Sequence, residues 1–176
     1  MKTAFKYIGL GLLAVIVLVM LIATTKPNEF RVERSRTIAA PADSLQLLLT
    51  DFHAWTRWSP YEALDPDMKR TYSGMPNGVG AVYSWEGKKA GSGRMEILSV
   101  APGGVRIALD FTEPMTAHNT AEFLFEPQGN ATKVTWAMYG ANNFVSKMFS
   151  VFVSMDKIVG KDFETGLANM EKAASH

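Results

Sequence analysis

The sequence predicts an α+β fold in which a curved antiparallel sheet wraps around a long C-terminal helix, after one N-terminal transmembrane helix. About six segments with strand-like alternation follow one another between residues 69 and 138, and helical periodicity begins after residue 143. Strands in a run with the helices segregated are typical of α+β proteins with an antiparallel sheet. The third observation is an uncharged apolar segment at Tyr7–Thr25.

The N-terminal segment reads YIGLGLLAVIVLVMLIATT. Helical residues rise ~1.5 Å each, so this run spans ~28 Å, close to the hydrocarbon thickness of a bilayer. A cleaved signal peptide is the alternative, but Ala23–Lys26 is a poor cleavage site. We therefore expect residues 1–27 to be a membrane anchor and residues 28–176 to form one domain. Lys2 and Lys6 precede the segment and favour an extracytoplasmic side for that domain.

The folded part begins with a strand and two short helices. Phe30–Thr37 alternates as a strand does. Ala40–Asp43 is typical of a helix start, because proline suits the first turn and an acidic side chain favours the N-terminal dipole. In the next helix Trp55 and Trp58 are three residues apart, so one turn places both rings on one side. Pro60 ends that helix.

The remaining chain divides into turns, strands and one helix. The glycines of Tyr72–Gly80 indicate turns, because their spacing matches neither the dinucleotide-binding motif nor a P-loop. Val105–Phe111 is the clearest half-buried strand. From Phe144 to Met170 apolar residues recur every three or four positions, which predicts one helix of roughly 30 residues with a bend near Gly160 and Gly166.

Composition excludes several classes of function. The formal net charge of +1 offers no electrostatic footprint for nucleic acid. The chain has no cysteine, and His53, His118 and His176 have no metal-ligand spacing, so we expect neither a metal site nor a cofactor. The sequence does not fix the oligomeric state.

Six motifs carry a resemblance to a known superfamily. They are a strand, APAD and helix at Arg34–Leu49, DFxxWxxWSP at Asp51–Pro60, YSGxxxGxG at Tyr72–Gly80, YxWxG at Tyr83–Gly87, TxVTW at Thr132–Trp136 and GKDFExGLxN at Gly160–Asn169. With them the chain resembles the SRPBCC superfamily of START-like and polyketide-cyclase/dehydrase-like proteins over about residues 30–172. The resemblance implies the helix-grip fold, but not one reaction, because the superfamily hosts lipid carriers, receptors and enzymes.

Aromatic and methionine side chains form the predicted ligand site. In a helix-grip fold the inner faces of the sheet and the long helix bound one cavity, and Trp and Met suit a flat or flexible apolar molecule. The alternative is that these side chains fill the core completely. The predicted ligand-binding residues are Trp55, Trp58, Tyr83, Trp85, Met95, Phe111, Phe123, Trp136, Met138, Met148, Phe152 and Met155. Trp136 is expected to contact the helix face formed by Met148, Phe152 and Met155, or a ligand held against that face.

Polar residues supply few candidates for catalysis, namely His53, Glu62, Asp65, Asp67, Arg70 and His118. A cyclase or hydrolase needs a general base whose pKa is tuned by burial and a partner. His118, at the entry to a strand, is a weak candidate at the cavity mouth, and a lone histidine there is more often solvated. Glu62, Asp65 and Asp67 lie in a proline-containing loop and are expected to be solvated.

The sequence therefore favours a membrane-tethered binding module for a small hydrophobic or amphipathic, lipid-like ligand. A cyclase/dehydratase-type enzyme acting in the same cavity is the first alternative, ranked second because no base–nucleophile pair stands out. An envelope structural protein with a filled core is the other alternative.

Overall fold

A computed structural model describes residues 2–142, 144–152 and 154–175, leaving aside the side chains of residues 2–6, 8, 145, 149 and 152. The helices are α1 (Lys2–Thr24), α2 (Ala42–Thr50), α3 (Pro60–Leu64), α4 (Phe144–Phe152) and α5 (Met155–Ala174), with a 3₁₀ helix at Phe52–Arg57. The strands are β1 (Glu29–Ile38), β2 (Lys69–Gly74), β3 (Ala81–Gly87), β4 (Gly91–Ala101), β5 (Gly104–Glu113), β6 (Ala117–Gln128) and β7 (Ala131–Ala141).

The strands of the described part form one antiparallel sheet. Its order is β1-β7-β6-β5-β4-β3-β2, so neighbours in the chain are neighbours in the sheet, except that β1 pairs with the last strand. Register shifts in β4, at Ser92/Gly93 and Ile97/Ser99, are irregularities of the kind that bend a sheet. α5 packs along β1 and covers one face of the sheet there. The predicted α+β class, with an antiparallel sheet and a C-terminal helix in the helix-grip manner, is confirmed.

Alternation along the strands decides which side chains enter the core. In β6, Ala121 and Phe123 are buried, and their buried partners on β7 are Met138 and Trp136. Successive side chains of a strand point to opposite faces, so these residues define the inner face of the sheet. The even-numbered residues of β6 therefore lie on its outer face.

Close packing of α5 on the sheet depends on Gly166. The Trp136 ring stacks on Phe163 of α5 with centroids 4.0 Å apart. A Cβ atom at position 166 would lie 2.6 Å from Cζ3 of Trp136. Trp136 therefore contacts the C-terminal helix at Phe163 and Gly166, further along the chain than the predicted face of Met148, Phe152 and Met155.

The C-terminal helix is divided, which corrects the prediction of one helix of roughly 30 residues. α4 ends at Phe152, and Ser154 begins α5 by accepting a hydrogen bond from the backbone N–H of Lys157 at 3.4 Å. α4 packs against α1 instead of extending α5. Met148 and Met155 therefore lie on different helices and share no helical face.

The N-terminal helix does not support the predicted anchor. In α1, the side chains of residues 9–24 are mostly exposed. Within the described residues, no helix combines the length and apolar character needed to cross a membrane. The predicted membrane location on the extracytoplasmic side is therefore wrong. The boundary between residues 1–27 and 28–176 stays a prediction.

Candidate functional site

A row of aromatic rings leads from the buried core to the surface. Trp55 packs edge-on against Phe52 with centroids 5.4 Å apart, and Phe52 lies 5.9 Å from Tyr83. Tyr83 contacts Tyr72 at 5.3 Å, and Tyr72 stacks on His53 at 3.9 Å. The first three rings are buried, Tyr72 is half-buried and His53 is exposed. The row thus connects the core with solvent near the 3₁₀ helix.

A cavity of about 180 Å³ opens where this aromatic row reaches the surface. It lies between the 3₁₀ helix, β2 and the start of β3. Its walls are mainly apolar, with one imidazole at the edge, and include Phe52, His53, Tyr72, Met75, Pro76 and Ala81. A concave site with apolar walls and few polar groups is typical of small-molecule binding.

The glycine-rich segment predicted to form turns builds one wall of the cavity. The Gly78 N–H donates to the Thr50 carbonyl at 2.9 Å, and the Gly80 N–H donates to the Ile97 carbonyl at 2.9 Å. Gly78 and Gly80 have φ of 70° and 85°, a left-handed conformation that favours glycine. The turn prediction is confirmed, and the bonds tie the wall to α2 and β4.

The His53 ring is held from two directions. Asp51 Oδ1 accepts the backbone N–H of His53 at 2.9 Å, which caps the 3₁₀ helix, and lies 3.0 Å from Nδ1 of the same residue. Tyr72 stacks on the ring at an interplanar angle of 20°. Because Nδ1 faces Asp51, Nε2 is the ring nitrogen left to interact with a molecule in the cavity.

A buried carboxylate lies behind the aromatic row. Glu62 is 9% exposed and accepts hydrogen bonds from the Tyr83 hydroxyl at 2.7 Å and from Arg70 Nε at 2.7 Å. Burial, and then the bond to Glu62, raise the pKa of the Tyr83 hydroxyl, which stays protonated at neutral pH. The prediction that Glu62 is solvated is wrong, because α3 turns it inward onto these two donors.

Asp65 is a second acidic residue that the sequence placed wrongly. It is buried, and its Oδ2 accepts backbone N–H groups from Lys89 at 2.8 Å and Ala90 at 3.3 Å. The bond from the Lys89 N–H is the main cause that lowers the pKa of the Asp65 carboxyl. Asp65 thus fastens the β3–β4 turn, while Asp67 is exposed as predicted.

His118 lies on the outer face of the sheet, away from the cavity. Its Nδ1 is 2.7 Å from Asp110 Oδ1 on the neighbouring strand, directly opposite in register. The side chain is 78% exposed. His118 therefore does not reach the cavity mouth, where the sequence had placed it.

The predicted ligand-binding residues have three environments. Phe111 and Met148 are half-buried, Met155 is exposed, and the side chain of Phe152 lies outside the described residues. The others are buried in one core, namely Trp55, Trp58, Tyr83, Trp85, Met95, Phe123, Trp136 and Met138.

Of the residues around the cavity, sequence reasoning singled out only His53, among the polar candidates. It missed Phe52, Tyr72 and Met75 as walls. The motifs at Asp51–Pro60 and Tyr72–Gly80 contain all of these residues. The sequence alone does not show that the two motifs lie next to each other in the fold.

Solved structures share this architecture at low sequence identity. The solution structure of the KanY protein has a TM-score of 0.64 at 11% identity, over 85% of this chain and 100% of that chain. The crystal structure of protein CV1439 from Chromobacterium violaceum has a TM-score of 0.60 at 12% identity, over 86% and 99%. A solution structure from Thermobifida fusca has a TM-score of 0.58 at 18% identity, over 82% and 93%. These similarities establish the fold.

Sequence comparison gives the family. No curated protein matches the chain. Residues 29–175 match the family described as polyketide cyclase / dehydrase and lipid transport, which covers nearly all of the chain after α1. The helix-grip sheet, the C-terminal helix and this match agree, and the chain belongs to the polyketide cyclase / dehydrase and lipid transport family.

Proposed function

We propose that this chain is a binding module for a small hydrophobic or amphipathic molecule, held where the aromatic row meets the cavity. The observation that carries the proposal is the continuity of Phe52 and Tyr72, which belong to both the row and the cavity walls. Membership of a family described by lipid transport and cyclase activity supports a hydrophobic ligand.

The size of the cavity limits the part of the ligand that it encloses. Sites for drug-sized ligands measure roughly 300–1,000 Å³, and an apolar cavity of ~150 Å³ holds a benzene-sized molecule. A cavity of about 180 Å³ therefore suits one ring or the end of a short chain. A longer ligand would extend past Met75 into solvent.

Packing under α5 argues against a second ligand position there. Trp136 lies 4.0 Å from the Phe163 ring and 5.0 Å from the Phe123 ring, centroid to centroid. Rings in such contact fill the space between the sheet and α5, which is the observation that favours the alternative of a structural protein with a filled core. We therefore assign the ligand to the cavity near His53.

Calorimetric titration of the full chain with 4-butylphenol tests the proposal. We expect one-to-one binding with a negative heat-capacity change, because apolar surface is buried. Met75→Trp should fill the cavity and weaken binding at least tenfold. Met115→Trp is the matched control, since Met75 is 58% exposed and Met115, on the β5–β6 turn, is 49% exposed.

Three results would decide the matter. Loss of binding in Met75→Trp alone supports the cavity as the site. Equal affinities for both variants and the parent would remove the cavity from the proposal. Absence of binding in the parent, together with no co-purified molecule in native mass spectrometry, would favour the structural protein with a filled core.

A further inference from the structure

The Asp51–His53 contact determines what the imidazole can offer to a ligand. An ionised carboxylate only accepts hydrogen bonds, so in the 3.0 Å contact with Asp51 Oδ1 the hydrogen is on Nδ1 of His53. In the neutral ring the other nitrogen then has a free lone pair. In that form of the ring, Nε2 is a hydrogen-bond acceptor on a residue that lines the cavity.

Two contacts orient the ring that carries this acceptor, while its side chain is 62% exposed. Asp51 is itself bound to the His53 backbone N–H at 2.9 Å, and Tyr72 covers the ring face at 3.9 Å. Phe52 and Met75 supply apolar walls beside it. An oriented acceptor beside apolar walls can distinguish ligands of similar shape by the group they direct toward it.

We propose that His53 is a specificity-determining residue, which selects ligands that direct a hydroxyl group toward Nε2 from an apolar ring. This rests on the proposed function, since it needs a ligand in the cavity. A hydroxyl satisfies the acceptor when water leaves, whereas a methyl group of the same size leaves the nitrogen unpaired. Sites built around a hydrogen bond discriminate in this way against analogues that lack the donor.

A second histidine provides an internal control. His118 also has its Nδ1 against an aspartate, at 2.7 Å from Asp110 Oδ1. It lies on the outer face of the sheet, outside the aromatic row. If pairing with an aspartate were sufficient for ligand selection, both histidines would contribute, whereas the cavity confines the expected effect to His53.

The test compares p-cresol with p-xylene, two rings of the same shape that differ by hydroxyl against methyl. The full-length parent, His53→Phe and His118→Phe are titrated with each compound and followed by chemical-shift changes. His53→Phe keeps an aromatic ring beside Tyr72 and removes the acceptor. The ratio of p-cresol to p-xylene affinity should fall about two- to twelvefold, the range for one net hydrogen bond. In His118→Phe the ratio should equal that of the parent.

Further outcomes separate this inference from the proposed function. If the parent and His53→Phe have the same ratio of p-cresol to p-xylene affinity, the role of His53 is overturned and the proposed binding function is unaffected. A parent that binds neither compound would overturn both. A measurement without substitution gives an independent answer: in the ¹⁵N spectrum of the histidines, Nε2 of His53 should shift with p-cresol and stay unchanged with p-xylene. A shift of equal size with both compounds would contradict the proposed hydrogen bond.

Discussion

Trp136 and Gly166 face each other across the interface between β7 and α5, and a Cβ atom at position 166 would lie 2.6 Å from the indole ring. Gly166→Ala should therefore destabilise the protein by ~1–3 kcal/mol through overpacking, although alanine is the better helix former. Urea denaturation measures the change. Thr165→Ala, exposed on the same helix, should be neutral or stabilising. A Gly166→Ala variant as stable as the parent would show that α5 can move away from the sheet.

Glu62→Gln should show how much the buried carboxylate contributes. The amide keeps an acceptor for Tyr83 but loses the charge that faces Arg70, so we expect a loss of about 1–3 kcal/mol. The control is Glu86→Gln, because the exposed pair with Lys69 at 3.4 Å should contribute less than ~0.5 kcal/mol. Similar losses in both variants would contradict a special role for Glu62.

The contribution of Asp65 to stability should depend on pH. Its folded-state pKa is lowered, chiefly by the hydrogen bond from the Lys89 N–H, so its stabilising effect is present above the ordinary aspartate pKa. That effect is lost as the pH falls through the lower folded-state value. Thermal melting of parent and Asp65→Asn between pH 7 and pH 2 should therefore differ most near neutrality and converge in acid. Asp67→Asn, at an exposed site, should follow the parent throughout.

Two buried tryptophans should respond differently to the same substitution. Trp58 Nε1 donates to the Leu48 carbonyl at 3.1 Å, whereas Trp136 Nε1 has no acceptor among the described residues. Phenylalanine removes a satisfied donor in the first case and an unsatisfied one in the second. Trp58→Phe should thus cost ~1–3 kcal/mol more than Trp136→Phe in chemical denaturation. The reverse order would indicate an acceptor at Trp136, such as a buried water.

Periodicity predicts which face of a strand or helix is apolar, and this explains which predictions from the sequence are right and which are wrong. The alternation of Val105–Phe111 identified a strand, because its pattern is local. The apolar spacing of Met148, Met155 and Ile158 continues across the boundary between α4 and α5, so nothing in that pattern ends a helix at Ser154.

The candidate site was harder to predict than the fold. Glu62 finds its partners Arg70 and Tyr83 only when β2 and β3 pair, eight and 21 positions further along the chain. The cavity likewise depends on the 3₁₀ helix meeting the β2–β3 turn. Residue types indicated an aromatic site, but which rings remain next to open space is a property of the assembled fold.

The pairing of β1 with β7 affects how the chain can fold. Glu29 lies opposite Ala141. In the native sheet the first strand therefore pairs only with the last one, and nearly the whole domain must be synthesised before this pair forms. Closing a loop of that length slows folding, because the chain loses entropy before the contacts between β1 and β7 can compensate for the loss. Until then the future partner edge of β1 is open to other chains. During translation, this edge of the first strand is therefore available for wrong pairing until β7 has been made.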